Sequence, residues 1–231
     1  MKIVALVPAR SGSKGFPHKN VARLGGKSLV ELAVKVGLDC DSVQSVYIST
    51  DSMAYETLAI QAGAQSLGLR PRDLASDTAK SVDVALDFLK RLAEPADCLV
   101  LLQPTSPMRH PEDISKMIEI LKNQKADAVV SVEKLEEPHP NKLKKITSDG
   151  FIAPFLGQTS SEVPRQSLPE VFKLNGALYV IRTDVLVSVR TFLPQKTLPF
   201  LMKGTINIDS EQDYQIIQGL LKTNNIQIYG V

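Results

Sequence analysis

Short continuous apolar runs alternate with segments whose apolar residues recur at helical spacing, and this alternation constrains the fold more than any other feature. Ile3 to Val7 is apolar at every position and rich in β-branched residues, the pattern of a strand buried on both faces of a parallel sheet. Val43 to Ser49, Cys98 to Leu102 and Ala128 to Val132 read as further strands, Cys98 to Leu102 again buried, and the alternation resumes at Gly176 to Ile181. Between them, residues 28–38, 52–62, 79–92 and a stretch from about Pro111 carry helical periodicity, and Ser210 to Leu221 predicts a closing helix. Strand and helix in alternation predict an α/β domain, a mostly parallel sheet covered by helices. In such sheets ligands bind beyond the carboxyl ends of the strands. The loops beginning at Pro8, Thr50 and Gln103 are therefore where chemistry is expected.

Residues 134–168 break the pattern with prolines, short alternating runs and a turn at Ser148-Asp149-Gly150, which predicts a β-hairpin insertion. The 231 residues otherwise read as one domain. With 27 Lys+Arg against 25 Asp+Glu, no basic excess points to nucleic acid. The basic run Lys142 to Lys145 reads as a solvated strand edge. Two cysteines far apart, Cys40 and Cys98, argue against a disulfide scaffold, and no stretch is long enough to span a bilayer. A soluble, cytoplasmic protein without membrane or nucleic-acid partners is the expectation.

The loop Pro8 to Asn20 joins glycines to Arg10, Lys14 and Lys19. Glycines expose backbone N–H groups that cradle phosphate oxygens, and a nucleoside triphosphate brings about four negative charges for the cations to neutralise. Gly26-Lys27-Ser28 ends like a P-loop but has Val21 at the first glycine position, and Gly12 to Gly15 fits neither a dinucleotide fingerprint nor a nucleophile elbow. If 205–209 is a strand, Asn207 and Asp209 share a face, with spacing suited to Mg²⁺. Taken alone, that segment reads rather as the cap of the closing helix, by Asp209 or Ser210, with Glu211 and Asp213 in its first turn. His18, His110 and His139 are scattered, which argues against zinc. Tyr47, Tyr55, Phe88 and Phe172 read as core.

In order along the chain, Pro8 to Asn20, Arg70 to Ser81, Leu102 to Arg109, Arg165-Gln166, Asn175 to Tyr179 and Asn207 to Asp209 resemble the signatures of CMP-acylneuraminate (CMP-sialic acid) synthetases and their legionaminic and pseudaminic acid relatives. The resemblance covers nearly the whole chain. It implies a three-layer, Rossmann-like nucleotidyltransferase fold in which 134–168 is a small dimerisation insertion. It also implies transfer of CMP from CTP to the anomeric hydroxyl of a nine-carbon 2-keto sugar acid, with release of pyrophosphate.

The implied roles are specific. Arg10, Ser13, Lys14 and Lys19 hold the triphosphate, and Asn20, Arg70, Ala79 and Ser81 recognise cytosine and ribose. Gln103, Thr105 and Ser106 line the sugar pocket, with Tyr179 nearby. Lys142 and Arg165 reach the sugar of the partner subunit in a homodimer with shared active sites. Mg²⁺ (or Mn²⁺) sits at Asp209 and Asn207, and catalysis rests on Arg10, Lys14, Lys19 and Asp209. Where the family usually has a first metal-binding Asp, this chain has Asn207, an amide without negative charge, so metal held mainly by Asp209 and phosphate is expected. The alternatives are a CMP-Kdo synthetase acting on an eight-carbon acid, a catalytically silent CTP-binding relative, and an α/β domain whose charged loop holds no ligand.

Overall fold

The computed structural model describes residues 1–157 and 162–231, the side chain of Arg165 excepted. In chain order the strands are β1 (Ile3–Pro8), β2 (Arg23–Leu24), β3 (Lys27–Ser28), β4 (Ser45–Ser49), β5 (Gln65–Ser66), β6 (Cys98–Leu101), β7 (Ala128–Lys134), β8 (Lys144–Ile146), β9 (Ile152–Pro154), β10 (Phe172–Arg182) and β11 (Thr197–Leu201). The helices are α1 (Leu29–Leu38), α2 (Met53–Gln61), α3 (Ser81–Arg91), α4 (Pro111–Asn123), α5 (Thr183–Val189) and α6 (Glu211–Lys222).

A seven-stranded sheet in the order β11-β7-β10-β6-β1-β4-β5 forms the middle layer. Only β10 runs antiparallel to its neighbours, so the sheet is mostly parallel. Alternating side chains of β1 supply both faces, as a period of two requires. Ile3, Ala5 and Val7 pack with residues of α1, α2 and α4 on one side, while Val4 and Leu6 pack with α3 and α5 on the other. That arrangement is the expected three-layer α/β fold.

Local chemistry fixes the helix starts. Ser28 accepts from the Glu31 amide while Glu31 accepts from the Ser28 amide, closing a capping box at α1. Ser210 and Asp213 form the same box at α6. The capping alternative for this segment is thus realised, and the strand condition is not: residues 205–209 are irregular backbone, pinned by the Ile208 amide donating to Thr105 O at 2.8 Å. Asn207 and Asp209 consequently do not present themselves from one strand face.

The hairpin β8–β9 pairs Ile146 with Ile152 and forms a separate two-stranded sheet. Phe172, expected in the core, begins β10 at its outer end and is 47% exposed. Tyr55 and Phe88 are buried as expected, and Tyr47 packs against Phe88 with ring centroids 5.1 Å apart.

Candidate functional site

The carboxyl ends of β6, β1 and β4 lie side by side, and the loops leaving them enclose a cavity. Arg10, Ser13, Lys19, Asn20, Arg70, Ala79, Ser81, Gln103, Thr105 and Asp209 all line it. These come from segments as far apart in sequence as Arg10 and Asp209, and the parallel sheet is what brings them together.

The loop after β1 is shaped from beneath. Asn20 is buried and donates to Arg10 O at 2.9 Å, which commits its amide nitrogen to the loop. Asp51, at the end of β4, accepts from the Ser11 amide (2.9 Å) and hydroxyl (2.7 Å). Burial pushes the Asp51 carboxyl up, but the Ser11 bonds and the Arg70 charge outweigh it and hold it below its ordinary range. The buried Arg70 guanidinium is pushed down by desolvation, with Asp51 4.0 Å away opposing that shift. Gly15 permits a close approach: a Cβ there would stand 2.9 Å from Asp209 O.

Positive charge gathers over this loop. Arg10 and Lys14 converge on one carboxylate, Asp77, at 2.6 Å and 2.5 Å. Hydrogen bonds from Lys14 and then Arg10 hold the Asp77 carboxyl below its ordinary range. Lys19 Nζ reaches Asp209 Oδ1 at 2.8 Å. The Ser13 hydroxyl is buried without a partner, a donor free for an anion.

The loop after β6 forms the opposite wall. Ser106 donates to Asn207 Oδ1 at 2.7 Å, and Asn207 Nδ2 donates to Asn175 O at 2.8 Å. Arg109, 1% exposed, donates through one nitrogen to Gln103 O (2.7 Å) and Ala177 O (3.0 Å), and desolvation pushes it down to about 9. It stays cationic at neutral pH.

Other expected residues lie off the cavity lining. Tyr179, on β10, packs against Phe192 with ring centroids 5.5 Å apart, and burial raises its hydroxyl. Lys142 sits in the insertion, 3.8 Å from Glu137. Arg165, assigned to the sugar of a partner subunit, lies outside the described side chains. Asp51, Asp77, Arg109 and Asn175 carry the site's internal bonds, yet no motif spacing marks them out. Asp77, Arg109 and Asn175 do fall inside the signature segments, and Asp51 lies in the loop beginning at Thr50 where chemistry is expected.

Among the described residues, no group of three or more His, Cys, Asp or Glu could hold a metal ion. Mg²⁺ needs only one or two carboxylates when phosphate oxygens complete its shell. The exposed Asp209 beside the triphosphate-sized cluster of cations fits that mode.

A family model described as Cytidylyltransferase matches residues 4–205. The chain is 33% identical to the CMP-N,N'-diacetyllegionaminic acid synthase of Legionella pneumophila, over 97% of this chain and 98% of that one. It is 28% identical to an N-acylneuraminate cytidylyltransferase of Streptococcus agalactiae, covering 96% of this chain but 54% of the relative. The fold matches that of a CMP:2-keto-3-deoxy-manno-octonic acid synthetase complexed with CTP, with a TM-score of 0.73 at 19% identity over 97% of this chain and 100% of that one.

Proposed function

Because this chain belongs to the cytidylyltransferase family, we propose that it transfers CMP from CTP to the anomeric hydroxyl of a nine-carbon 2-keto sugar acid of the neuraminic, legionaminic or pseudaminic type. The observation that carries this reading is the convergence of Arg10, which lines the cavity, and Lys14 on a single carboxylate. Two cations that need an anion there suit a triphosphate.

In the proposed reaction the sugar oxygen attacks the α-phosphorus in line with the departing pyrophosphate. The new bond is sugar O–Pα, the Pα–O–Pβ bridge breaks, and the hydroxyl proton leaves to solvent. Arg10 and Lys14 neutralise charge that grows on the pyrophosphate, and Ser13 donates to a phosphate oxygen. Lys19, half-buried and 2.8 Å from Asp209, orients the loop and that carboxylate. Asn20, Arg70, Ala79 and Ser81 hold the nucleoside, while Gln103, Thr105 and Ser106 face the sugar. Their contribution is alignment, which replaces a bimolecular encounter by a bound geometry.

Mg²⁺ or Mn²⁺, held by Asp209 and the phosphates, would supply charge stabilisation at the α-phosphate. The exposed hairpin β8–β9 supports a homodimer in which Lys142 and Arg165 approach the neighbouring sugar. No helix among the described residues is long and apolar enough to cross a membrane, and Cys40 and Cys98 are free and buried; both suit the CTP-containing cytoplasm.

The test is pyrophosphate release from CTP and Mg²⁺ with N-acetylneuraminic, legionaminic, pseudaminic and Kdo acids offered separately. Release with one nine-carbon acid is expected. Release with Kdo alone moves the chain to the eight-carbon reaction. CTP binding without any release leaves a silent nucleotide-binding relative.

A further inference from the structure

Building on that reaction, we propose that Asn207 is a positioning residue that sets the Ser106 hydroxyl for the sugar acid, and that it is not a metal ligand. Both ends of its amide are engaged. Nδ2 donates to Asn175 O at 2.8 Å, and Oδ1 accepts from Ser106 Oγ at 2.7 Å. A backbone carbonyl only accepts, so the amide nitrogen must face Asn175 and the oxygen must face Ser106. The orientation of the amide follows from its partners.

Those partners are anchored deep in the sheet. Asn175 Oδ1 accepts from Ser131 Oγ (2.5 Å) and from the Ala177 amide (3.1 Å), and Ser131 Oγ accepts from the Leu178 amide at 2.8 Å. Ser131 and Asn175 are both buried. One hydrogen-bonded chain therefore runs from the middle of β7 through the bulge of β10 to the buried Ser106, directly behind Thr105 of the cavity lining. At the bulge, Gly176 has φ +71°, and a Cβ there would stand 3.2 Å from Gln103 Oε1 and 3.4 Å from Asn207 Nδ2. The β10 bulge closes directly on the amide.

The residue type matches this task. A carboxylate at 207 could still accept from Ser106, but it would set an acceptor oxygen against the Asn175 carbonyl where the amide now donates. Coordination through Oδ1 would compete with the Ser106 hydroxyl for the same oxygen. Asp209 turns elsewhere, to Lys19 at 2.8 Å, and is 73% exposed at its side chain, so it remains the carboxylate open to metal-bound phosphate. Because the single Ser106 proton is committed to Asn207, the hydroxyl offers its remaining lone pairs to a ligand. Ser106 thus selects a donor, a hydroxyl or amide N–H of the sugar acid.

The experiment compares wild type, N207A, S106A and the double variant by steady-state kinetics in CTP and sugar acid, with Mn²⁺ titration of the CTP-loaded protein by electron paramagnetic resonance. For N207A the expected result is a sugar-acid KM raised about threefold to tenfold, the worth of one hydrogen bond, with the CTP KM within about twofold. The double variant should be no worse than S106A, because Asn207 acts through Ser106. Mn²⁺ affinity should stay within about twofold, where loss of a ligand would weaken it about tenfold or more. Weakened Mn²⁺ binding with an unmoved sugar-acid KM overturns the assignment. If N207A does not fold, N207D, which keeps the acceptor and loses the donor, must raise the sugar-acid KM, and an unchanged value refutes the role. If wild type releases no pyrophosphate with any acid, the proposed reaction fails by itself. The Mn²⁺ titration then decides alone: unchanged binding upholds the amide as a clip, and weaker binding overturns it.

Discussion

Asp77 holds its negative charge between two cations, 2.6 Å from Arg10 and 2.5 Å from Lys14. If those cations serve the triphosphate, the carboxylate competes with it for the same partners. Solvent screens exposed pairs of this kind, so each is worth little on its own. D77N should therefore tighten CTP binding by roughly twofold to fivefold at low salt, with the gain shrinking as salt screens it, as read by calorimetric titration. Weaker binding by D77N would mean that Asp77 aligns the cations instead. Asp51 makes a different prediction. Its folded carboxyl titrates below its ordinary value near 3.8, so its stabilisation is complete above that pH and disappears as pH falls through the lower, folded value. D51N should lower Tm by roughly 2–4 °C at pH 7, for about 1 kcal/mol lost. The gap from wild type should begin to narrow only as pH falls below 3.8 and should close once pH passes the lower, folded value, where wild-type Asp51 also becomes neutral.

The loop after β6 and the bulge of β10 are joined by Arg109 as well as by Asn207, and Arg109 is the heavier fastening. Its buried guanidinium bonds Gln103 O and Ala177 O, while Nε and the second terminal nitrogen have no partner. R109L would leave both carbonyls unsatisfied at the centre of the fold. About 2–4 kcal/mol of stability should be lost, visible as a lower midpoint of urea unfolding at unchanged slope. At this scale the sequence was readable where periodicity governs. The apolar runs of β1, β4, β6 and β7 and the helices between them lie within a few residues of their expected ends, because burial on both faces leaves a run no other reading. The two-residue β5 is too short to carry a period, and β11, interrupted by Pro199, lacks a clean one. The antiparallel direction of β10 and its bulge depend on tertiary pairing that no local pattern states. In the site, Arg10, Lys19 and Gln103 were legible because each follows a buried strand. The strand placement of 205–209 does not hold, because that backbone is fixed by partners from separate elements, Thr105, Ser106 and Asn175, which no local spacing states.

For the whole molecule, the hairpin β8–β9 stands apart from the sheet, and a two-stranded ribbon alone in water is marginal at best. Ile146 and Ile152 are directly paired, so their side chains share one face, and they are 78% and 75% exposed. Phe151 and Phe155 flank them and are exposed too. Ile146 and Ile152 thus place apolar surface on one side of the ribbon, where burial at about 25 cal/mol per Å² would stabilise it. A second copy of the chain is the occupant that also brings Lys142, two residues before the hairpin's first paired residue, Lys144, to a neighbouring cavity. I152D would place a charge in that contact. Sedimentation velocity should then show wild type as a dimer at micromolar concentration and I152D as a monomer. The variant should keep CTP binding, since the cavity proposed for the nucleotide is lined by segments around the main sheet and by none of the hairpin, while its sugar-acid KM rises with the loss of Lys142 from the neighbouring site. A wild-type chain that sediments as a monomer across that range, with full activity, would place Lys142 outside the reaction and leave the hairpin's apolar face to another partner.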